Sequence, residues 1–70
     1  FNASALRTAR EIAGLSRDDL AARVGVSRQS VWSYETGRAE PKASVGLRIS
    51  AVLDIELSEL YASDASGVAG

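Results

Sequence analysis

SRDDLAARVGVSRQSVWSYETG, residues 16–37, contains two short helical patterns joined by a glycine turn. Leu20 and Val24 are apolar at four-residue spacing in the first pattern, and Val31 and Tyr34 are apolar at three-residue spacing in the second. Apolar residues at this spacing predict that each helix buries one face. We therefore expect two helices that pack against each other through these faces.

The connection between the two predicted helices is short and contains glycine. The helices are predicted over residues 17–24 and 28–36, with Gly25-Val26-Ser27 between them. Such a turn is typical of the helix-turn-helix motif, because a left-handed glycine lets the second helix cross the first steeply. Ser16 and Asp19 have the spacing of a capping box at the start of the first helix. From spacing alone, an unrelated small helical bundle is the alternative.

Weaker helical patterns lie on both sides of this motif. They predict further helices over residues 4–13, 42–53 and 58–61, which makes an all-α domain of five helices. Pro41 suits the first turn of the fourth helix, where its missing N–H costs nothing. The inward stripe predicted for that helix consists of Ala43, Leu47, Ser50, Val52 and Leu53. We expect the domain to cover residues 1–61, and residues 62–70 to be a flexible tail or the start of a linker.

The composition excludes several classes of protein. The chain has 70 residues, which is enough for one domain at most. It has no cysteine and no histidine, so it lacks disulfides, thiolate metal sites and the commonest general base. We therefore expect no enzyme activity, no metal and no cofactor, and no small-molecule ligand is evident. No apolar run is long enough for a membrane span and no secretory signal is visible, so we expect a cytoplasmic protein.

The charge of the chain is unevenly distributed. The net charge of −1 argues against a nucleic-acid partner when it is taken alone, because such proteins usually carry a basic excess. Residues 1–53, however, hold all 8 basic side chains and 5 acidic ones, a balance of +3. Residues 54–70 hold 4 acidic side chains and no basic one. The total is thus an average over two regions of opposite sign, and it does not exclude nucleic acid.

Most of the chain resembles a known family. The stretch LRTAREIAGLSRDDLAARVGVSRQSVWSYETGRAEP, followed by LRISAVLDIELSELY, resembles the phage repressor/Cro-like (XRE-type) helix-turn-helix domain. The motifs GLS, DLA and GVSRQSV, with YE-x-GR before a proline, carry this resemblance. It implies a compact five-helix lambda-repressor-like fold encoded by a prokaryote or phage. It also implies a transcriptional regulator that binds double-stranded DNA sequence-specifically, with a recognition helix at about residues 28–36 in the major groove.

The resemblance also implies roles for individual residues. Arg28, Gln29 and Ser33 correspond to positions that reach base edges, and arginine suits guanine as glutamine suits adenine. Arg17 stands where the family usually has a glutamine that meets a phosphate. The positions implied to contact phosphate are Arg17, Ser30, Thr36, Arg38 and Lys42, and Ser30 is also placed to contact a base. The alternative for Arg17, Arg38 and Lys42 is that they are simply solvated charges.

Other positions also depart from the family pattern. Trp32 is outward-facing, where these domains often carry a small polar residue, and we expect it to lie near the DNA bases with Arg28 stacked on its indole. A surface ring that covers the preceding helix is the alternative. Tyr34 stands where isoleucine, leucine or tryptophan is commoner, and Gly46 stands where a larger apolar residue is expected, so we expect the tyrosine ring to fill the space that the glycine leaves.

Two further residues are predicted to act in the fold. Similar domains pair the positions of Arg10 and Glu35 across the first and third helices. Both residues lie beside apolar stripes in this sequence, so the resemblance implies a partly buried structural ion pair.

Two questions about partners stay open at the level of sequence. One recognition helix reads few base pairs, so we expect a homodimer on DNA. Leu57, Leu60 and Tyr61 are candidates for its interface, and core packing is the equal alternative. The alternative function is a protein-interaction module, such as an antitoxin or adapter, that would bind through Trp32 and the acidic C-terminal segment.

Overall fold

The computed structural model describes residues 1–61, and these residues form five helices. The helices are α1 (Ala3–Ile12), α2 (Arg17–Val24), α3 (Arg28–Glu35), α4 (Ala43–Leu53) and α5 (Leu57–Tyr61). The all-α, five-helix prediction is confirmed. In the described part of the chain, no helix is long and apolar enough to cross a membrane. The prediction of a tail at residues 62–70 lies outside the described residues.

Local capping explains where α2 and α3 begin and where the turn falls. The hydroxyl of Ser16 accepts from the backbone N–H of Asp19, whose carboxylate accepts in return from the N–H of Ser16, at 3.0 and 3.1 Å. Gly25 ends α2 with a φ of 84°, the left-handed conformation that glycine adopts without a Cβ clash. Ser27 then caps α3 by accepting from the N–H of Ser30. The predicted capping box and the glycine turn are therefore both present.

All five helices contribute to one apolar core. Its buried members are Leu6, Leu20, Ala21, Val24, Val31, Ile49, Leu53 and Leu60. Burying one leucine or valine side chain contributes about 1.5–3 kcal/mol, so this cluster fixes α2 and α3 against the other helices. Leu60 is completely buried, and Leu57 and Tyr61 pack against the core. Of the two alternatives for these three residues, the structure shows core packing.

The buried face of α4 differs from the predicted one. Gly46, Ile49 and Leu53 face the core, whereas Ala43 is exposed and 56% of Leu47 is accessible to solvent. Gly46 lies where α4 approaches α5 closely, because a residue without a side chain permits that approach. This contact determines which face of α4 turns inward. Pro41 also lies outside the first turn of α4, because Lys42 is the N-cap and the helix begins at Ala43.

Tyr61, and not Tyr34, fills the space beside Gly46. A Cβ atom on Gly46 would lie only 2.6 Å from the Tyr61 hydroxyl oxygen and 3.1 Å from its Cε2. The Tyr61 hydroxyl donates to the carbonyl oxygen of Pro41 at 3.0 Å, and burial raises the pKa of this hydroxyl. The expected role of Tyr34 at Gly46 is therefore wrong, because a residue at the end of α5 reaches this position.

The two ends of the described chain meet. The N–H of Asn2 donates to the carbonyl oxygen of Leu60 at 2.6 Å. The rings of Phe1 and Tyr61 pack edge to face, with centroids 5.2 Å apart. These contacts join the start of α1 to the end of α5.

Candidate nucleic-acid interface

The starts of α2 and α3 frame a shallow cleft on the protein surface. Arg17 from α2 and Arg28, Gln29 and Trp32 from α3 line it, and its volume is about 280 Å³. Val31 turns the opposite side of α3 into the core, so the helix cannot rotate without breaking the core. The structure thus brings three of the four predicted base-contacting residues next to one predicted phosphate-contacting residue.

Arg28 does not stack on Trp32 as the sequence led us to expect. Its Nε lies 3.5 Å from Oδ1 of Asp18, and both side chains are more than two-thirds exposed. The guanidinium carbon of Arg38 lies instead 5.0 Å from the centre of the Trp32 ring. The physical reason is position: Arg28 opens α3 beside the first turn of α2, whereas Arg38 follows the end of α3. An exposed ion pair contributes about 0–1 kcal/mol, so Arg28 is easily released to another partner.

A buried carboxylate holds two arginines, one of which lines this cleft. The side chain of Glu35 is 1% exposed, and it accepts from Nε and Nη2 of Arg10 at 2.5 and 3.1 Å. Nη1 of Arg10 donates to the carbonyl oxygen of Leu15 at 2.8 Å. The hydrogen bond with Glu35 is the main cause that raises the pKa of Arg10 above its ordinary value. The expected pair between α1 and α3 is thus present as a doubly hydrogen-bonded contact.

The same carboxylate has a second partner that the sequence reasoning missed. Nε of Arg17 donates to Oε1 of Glu35 at 3.1 Å, and the Arg17 side chain is 35% exposed. The sequence alternatives for Arg17 are a phosphate contact and a solvated charge, and the structure shows a partly exposed side chain that is paired with Glu35. The sequence signal for this contact is that Arg17 stands where the family usually has glutamine, because arginine binds a carboxylate more strongly than glutamine does.

The hydroxyl residues of the site differ in which protons they have free. The hydroxyl oxygens of Ser27 and Ser30 lie 3.0 Å apart, and within residues 1–61 the Ser30 hydroxyl donates to no backbone carbonyl. The Thr36 hydroxyl donates to the carbonyl oxygens of Trp32 and Ser33 at 2.9 and 3.3 Å. A phosphate accepts protons and donates none at neutral pH, so Ser30 is better prepared for such a contact than Thr36.

The remaining predicted residues lie around the cleft or away from it. Ser33 is half-buried on α3, and Arg38 and Lys42 are exposed in and after the loop that follows α3. The structure does not place Ser33, Arg38 or Lys42 in the lining of the cleft. Within residues 1–61, no three carboxylate, histidine or cysteine side chains lie together as metal ligands would.

Comparison with known proteins agrees with this architecture. The family described as Helix-turn-helix matches the chain over residues 6–60. The chain belongs to this helix-turn-helix family. Its resemblance to repressor/Cro-like domains is thereby confirmed, and the family and the similar proteins support DNA binding in transcriptional regulation.

Two relatives are named as HTH-type transcriptional regulators. A regulatory protein of Methanocaldococcus jannaschii is 42% identical over 52 residues, which are 74% of this chain but only 16% of that protein. A regulator of Methanothermobacter thermautotrophicus is 35% identical over 63 residues, covering 89% of this chain and 91% of the relative. This helix-turn-helix domain therefore spans about one sixth of the first relative and nearly all of the second.

A solved structure has the same fold. The crystal structure of the restriction-modification controller protein C.AhdI from Aeromonas hydrophila superimposes with a TM-score of 0.78. The two proteins are 34% identical, and the match covers 83% of this chain and 88% of the other. The compact five-helix helix-turn-helix fold is thus shared with a controller protein.

Proposed function

We propose that this helix-turn-helix domain binds double-stranded DNA sequence-specifically by placing α3 in the major groove. The observation that carries the proposal is the cleft in which Arg28, Gln29 and Trp32 of α3 lie beside Arg17 of α2. Arginine binds the two acceptors on the guanine edge, and glutamine binds the donor and acceptor on the adenine edge. Trp32 offers an apolar surface to a thymine methyl group, and Ser33 adds a hydroxyl on the same helix.

The proposed phosphate contacts surround this base-reading surface. Arg17 begins α2, the Ser30 hydroxyl donates to no backbone carbonyl within residues 1–61, and Arg38 and Lys42 present exposed charges after α3. Thr36 takes part only if its hydroxyl leaves the helix carbonyls to which it donates. Phosphate contacts set the register of the protein on DNA and cause the salt dependence of its affinity.

We further propose that the domain binds DNA as a homodimer. We place this activity in the cytoplasm of a prokaryotic cell. An α3 of 8 residues reads only a few base pairs, and two copies reading half-sites about 34–36 Å apart are the usual solution. Leu60 is buried in the core and does not supply an interface. No catalytic step is part of this proposal.

Selection of binding sites from random duplex DNA, followed by footprinting, tests the proposal. We expect an enriched site with two related halves, and we expect Arg28→Ala and Gln29→Ala to lose about 1–3 kcal/mol of discrimination, each at one base pair. Arg23→Ala is the matched control, because Arg23 is exposed on α2 and does not line the cleft. If one protomer binds per site, the proposed homodimer is contradicted, whereas the proposed sequence-specific DNA binding is not.

The same experiment separates DNA binding from the alternative of a protein-interaction module. A regulator that contacts phosphates loses affinity steeply as salt rises. If the wild-type domain enriches no sequence and shows no DNA binding even at low salt, the proposal is wrong, and a role as an antitoxin or adapter is supported.

A further inference from the structure

We infer that Glu35 is a positioning residue for DNA binding, because it holds Arg17 in the orientation that a phosphate needs. The inference rests on the proposed function and concerns the same surface. Glu35 itself does not touch DNA, since its side chain is buried. It acts through the hydrogen bond that Arg17 Nε donates to Glu35 Oε1 at 3.1 Å.

Glu35 is suited to this role because it is fixed from the other side. Arg10 binds both of its carboxylate oxygens, and Arg10 is itself tied to the Leu15 carbonyl oxygen. A carboxylate with these bonds has one orientation available. The acceptor that it offers to Arg17 is therefore at a defined place relative to α3.

Because Arg17 binds Glu35 through Nε, the two terminal nitrogens of its guanidinium can bind a second partner. Among residues 1–61, no hydrogen bond is made by the two terminal nitrogens of Arg17, and the side chain lines the cleft beside Arg28 and Gln29. The terminal nitrogens of a guanidinium form a planar fork that matches two phosphate oxygens. A side chain that is already held in place loses less conformational entropy when it binds.

The charge of the cluster also favours an anion. Arg10 and Arg17 share the single carboxylate of Glu35, so the three residues together carry a charge of +1. Arg10 is buried, whereas Arg17 is the member that reaches solvent. The excess positive charge is therefore accessible only at Arg17, which lies at the rim of the proposed DNA surface.

Two substitutions of Arg17 test the inference without disturbing the buried Arg10–Glu35 pair. Arg17→Met removes the charge. Arg17→Lys keeps the charge but replaces the planar guanidinium, which offers Nε to Glu35 and its terminal nitrogens to phosphate, by a single ammonium nitrogen. Arg23→Met and Arg23→Lys are matched controls on the same helix. The probe is a mixed-sequence duplex of about 20 base pairs, and affinity is measured by fluorescence anisotropy between about 50 and 200 mM NaCl.

We expect Arg17→Met to weaken binding about tenfold and to lower the slope of log affinity against log salt by about 0.9. Arg17→Lys should keep the slope yet still weaken binding about fivefold, because both the orientation set by Glu35 and the planar fork are lost although the charge remains. Both Arg23 variants should change affinity less than about twofold. Circular dichroism verifies that each variant is folded.

The possible failures are distinguishable. If Arg17→Lys binds as tightly as the wild type, positioning by Glu35 is refuted while the phosphate contact stands. If Arg17→Met binds as tightly as the wild type with the same slope, Arg17 contacts no phosphate and the inference is also refuted. If the wild type itself shows no salt-dependent binding, the proposed function fails and the inference fails with it.

Discussion

Replacing Arg10 by methionine should destabilise the domain far more than any exposed substitution on α1. The change removes the hydrogen bonds from Arg10 to Glu35 and Leu15 but keeps an apolar chain of similar length. Breaking a buried ion pair costs about 3–5 kcal/mol, because the remaining charge stays buried. Arg17 still contacts Glu35, so we expect the lower end, about 3 kcal/mol.

That loss is large for a domain of this size. At about 0.05–0.15 kcal/mol per residue, roughly 60 residues give a total stability of about 3–9 kcal/mol. Urea unfolding followed by circular dichroism measures the loss. With a slope of about 1 kcal/mol per molar urea, the midpoint should fall by about 3 M. Arg7→Met is the matched control, since the Arg7–Glu11 pair on the same helix is exposed and its loss should cost less than about 0.5 kcal/mol.

A double variant separates the effect of charge from the effect of packing. Arg10→Met combined with Glu35→Leu removes both members of the pair, and it should recover more than half of the lost stability because no uncompensated carboxylate remains. The reasoning is refuted if Arg10→Met unfolds at the same urea concentration as Arg7→Met. It is also refuted if the double variant is no more stable than Arg10→Met alone.

Three further predictions concern other parts of the domain. Gly46→Ala should lose about 1–2 kcal/mol of unfolding free energy in thermal unfolding, because the new Cβ displaces the Tyr61 hydroxyl from its hydrogen bond. This loss exceeds the gain in helix propensity. A more stable variant would show that the Tyr61 ring moves freely. Hydrogen bonds from Ser16, first from its backbone N–H, hold the pKa of the Asp19 carboxyl below its ordinary value. Asp19 should therefore stabilise the fold above its ordinary pKa and lose this effect as pH falls through its lowered folded-state pKa. A stability difference between the wild type and Asp19→Asn that does not shrink on acidification would contradict the capping argument. Trp32 emission should change when a selected DNA site is added, and unchanged emission would place its indole outside the interface.

The helix-turn-helix unit was predictable because its determinants are local. Ser16, Gly25 and Ser27 set the helix ends through hydrogen bonds and backbone conformations within a few residues. The apolar spacing then sets which faces turn inward. These features act over short separations along the chain, so a single sequence shows them.

The failures concern contacts between residues far apart in the chain. The inward face of α4 depends on Tyr61 lying against Gly46, and spacing within α4 alone favoured Leu47 instead. Likewise, the sequence offered Arg28 as the partner of Trp32, whereas the structure has Arg38 there. Long side chains have several staggered rotamers of similar energy, so tertiary neighbours decide which partner they reach.

The candidate site divides along the same line. The position of the site on the outer face of α3 was predictable from the apolar spacing of that helix. The second partner of Glu35 was not, because Arg17 and Glu35 are 18 residues apart in the chain. The individual base and phosphate contacts remain predictions, and they await DNA-binding measurements on variants.

The meeting of the chain ends has a consequence for the topology of the domain. Because Asn2 hydrogen-bonds to Leu60 and Phe1 packs on Tyr61, the described chain is nearly a closed ring with one break in it. A short covalent link across that break would barely strain the folded state. It would restrict the unfolded chain, and closing a loop of about 60 residues removes unfolded-state entropy equivalent to about 4 kcal/mol. A cyclised form should therefore survive heating that unfolds the linear chain, and a new opening in the exposed loop at Ala39 should be tolerated.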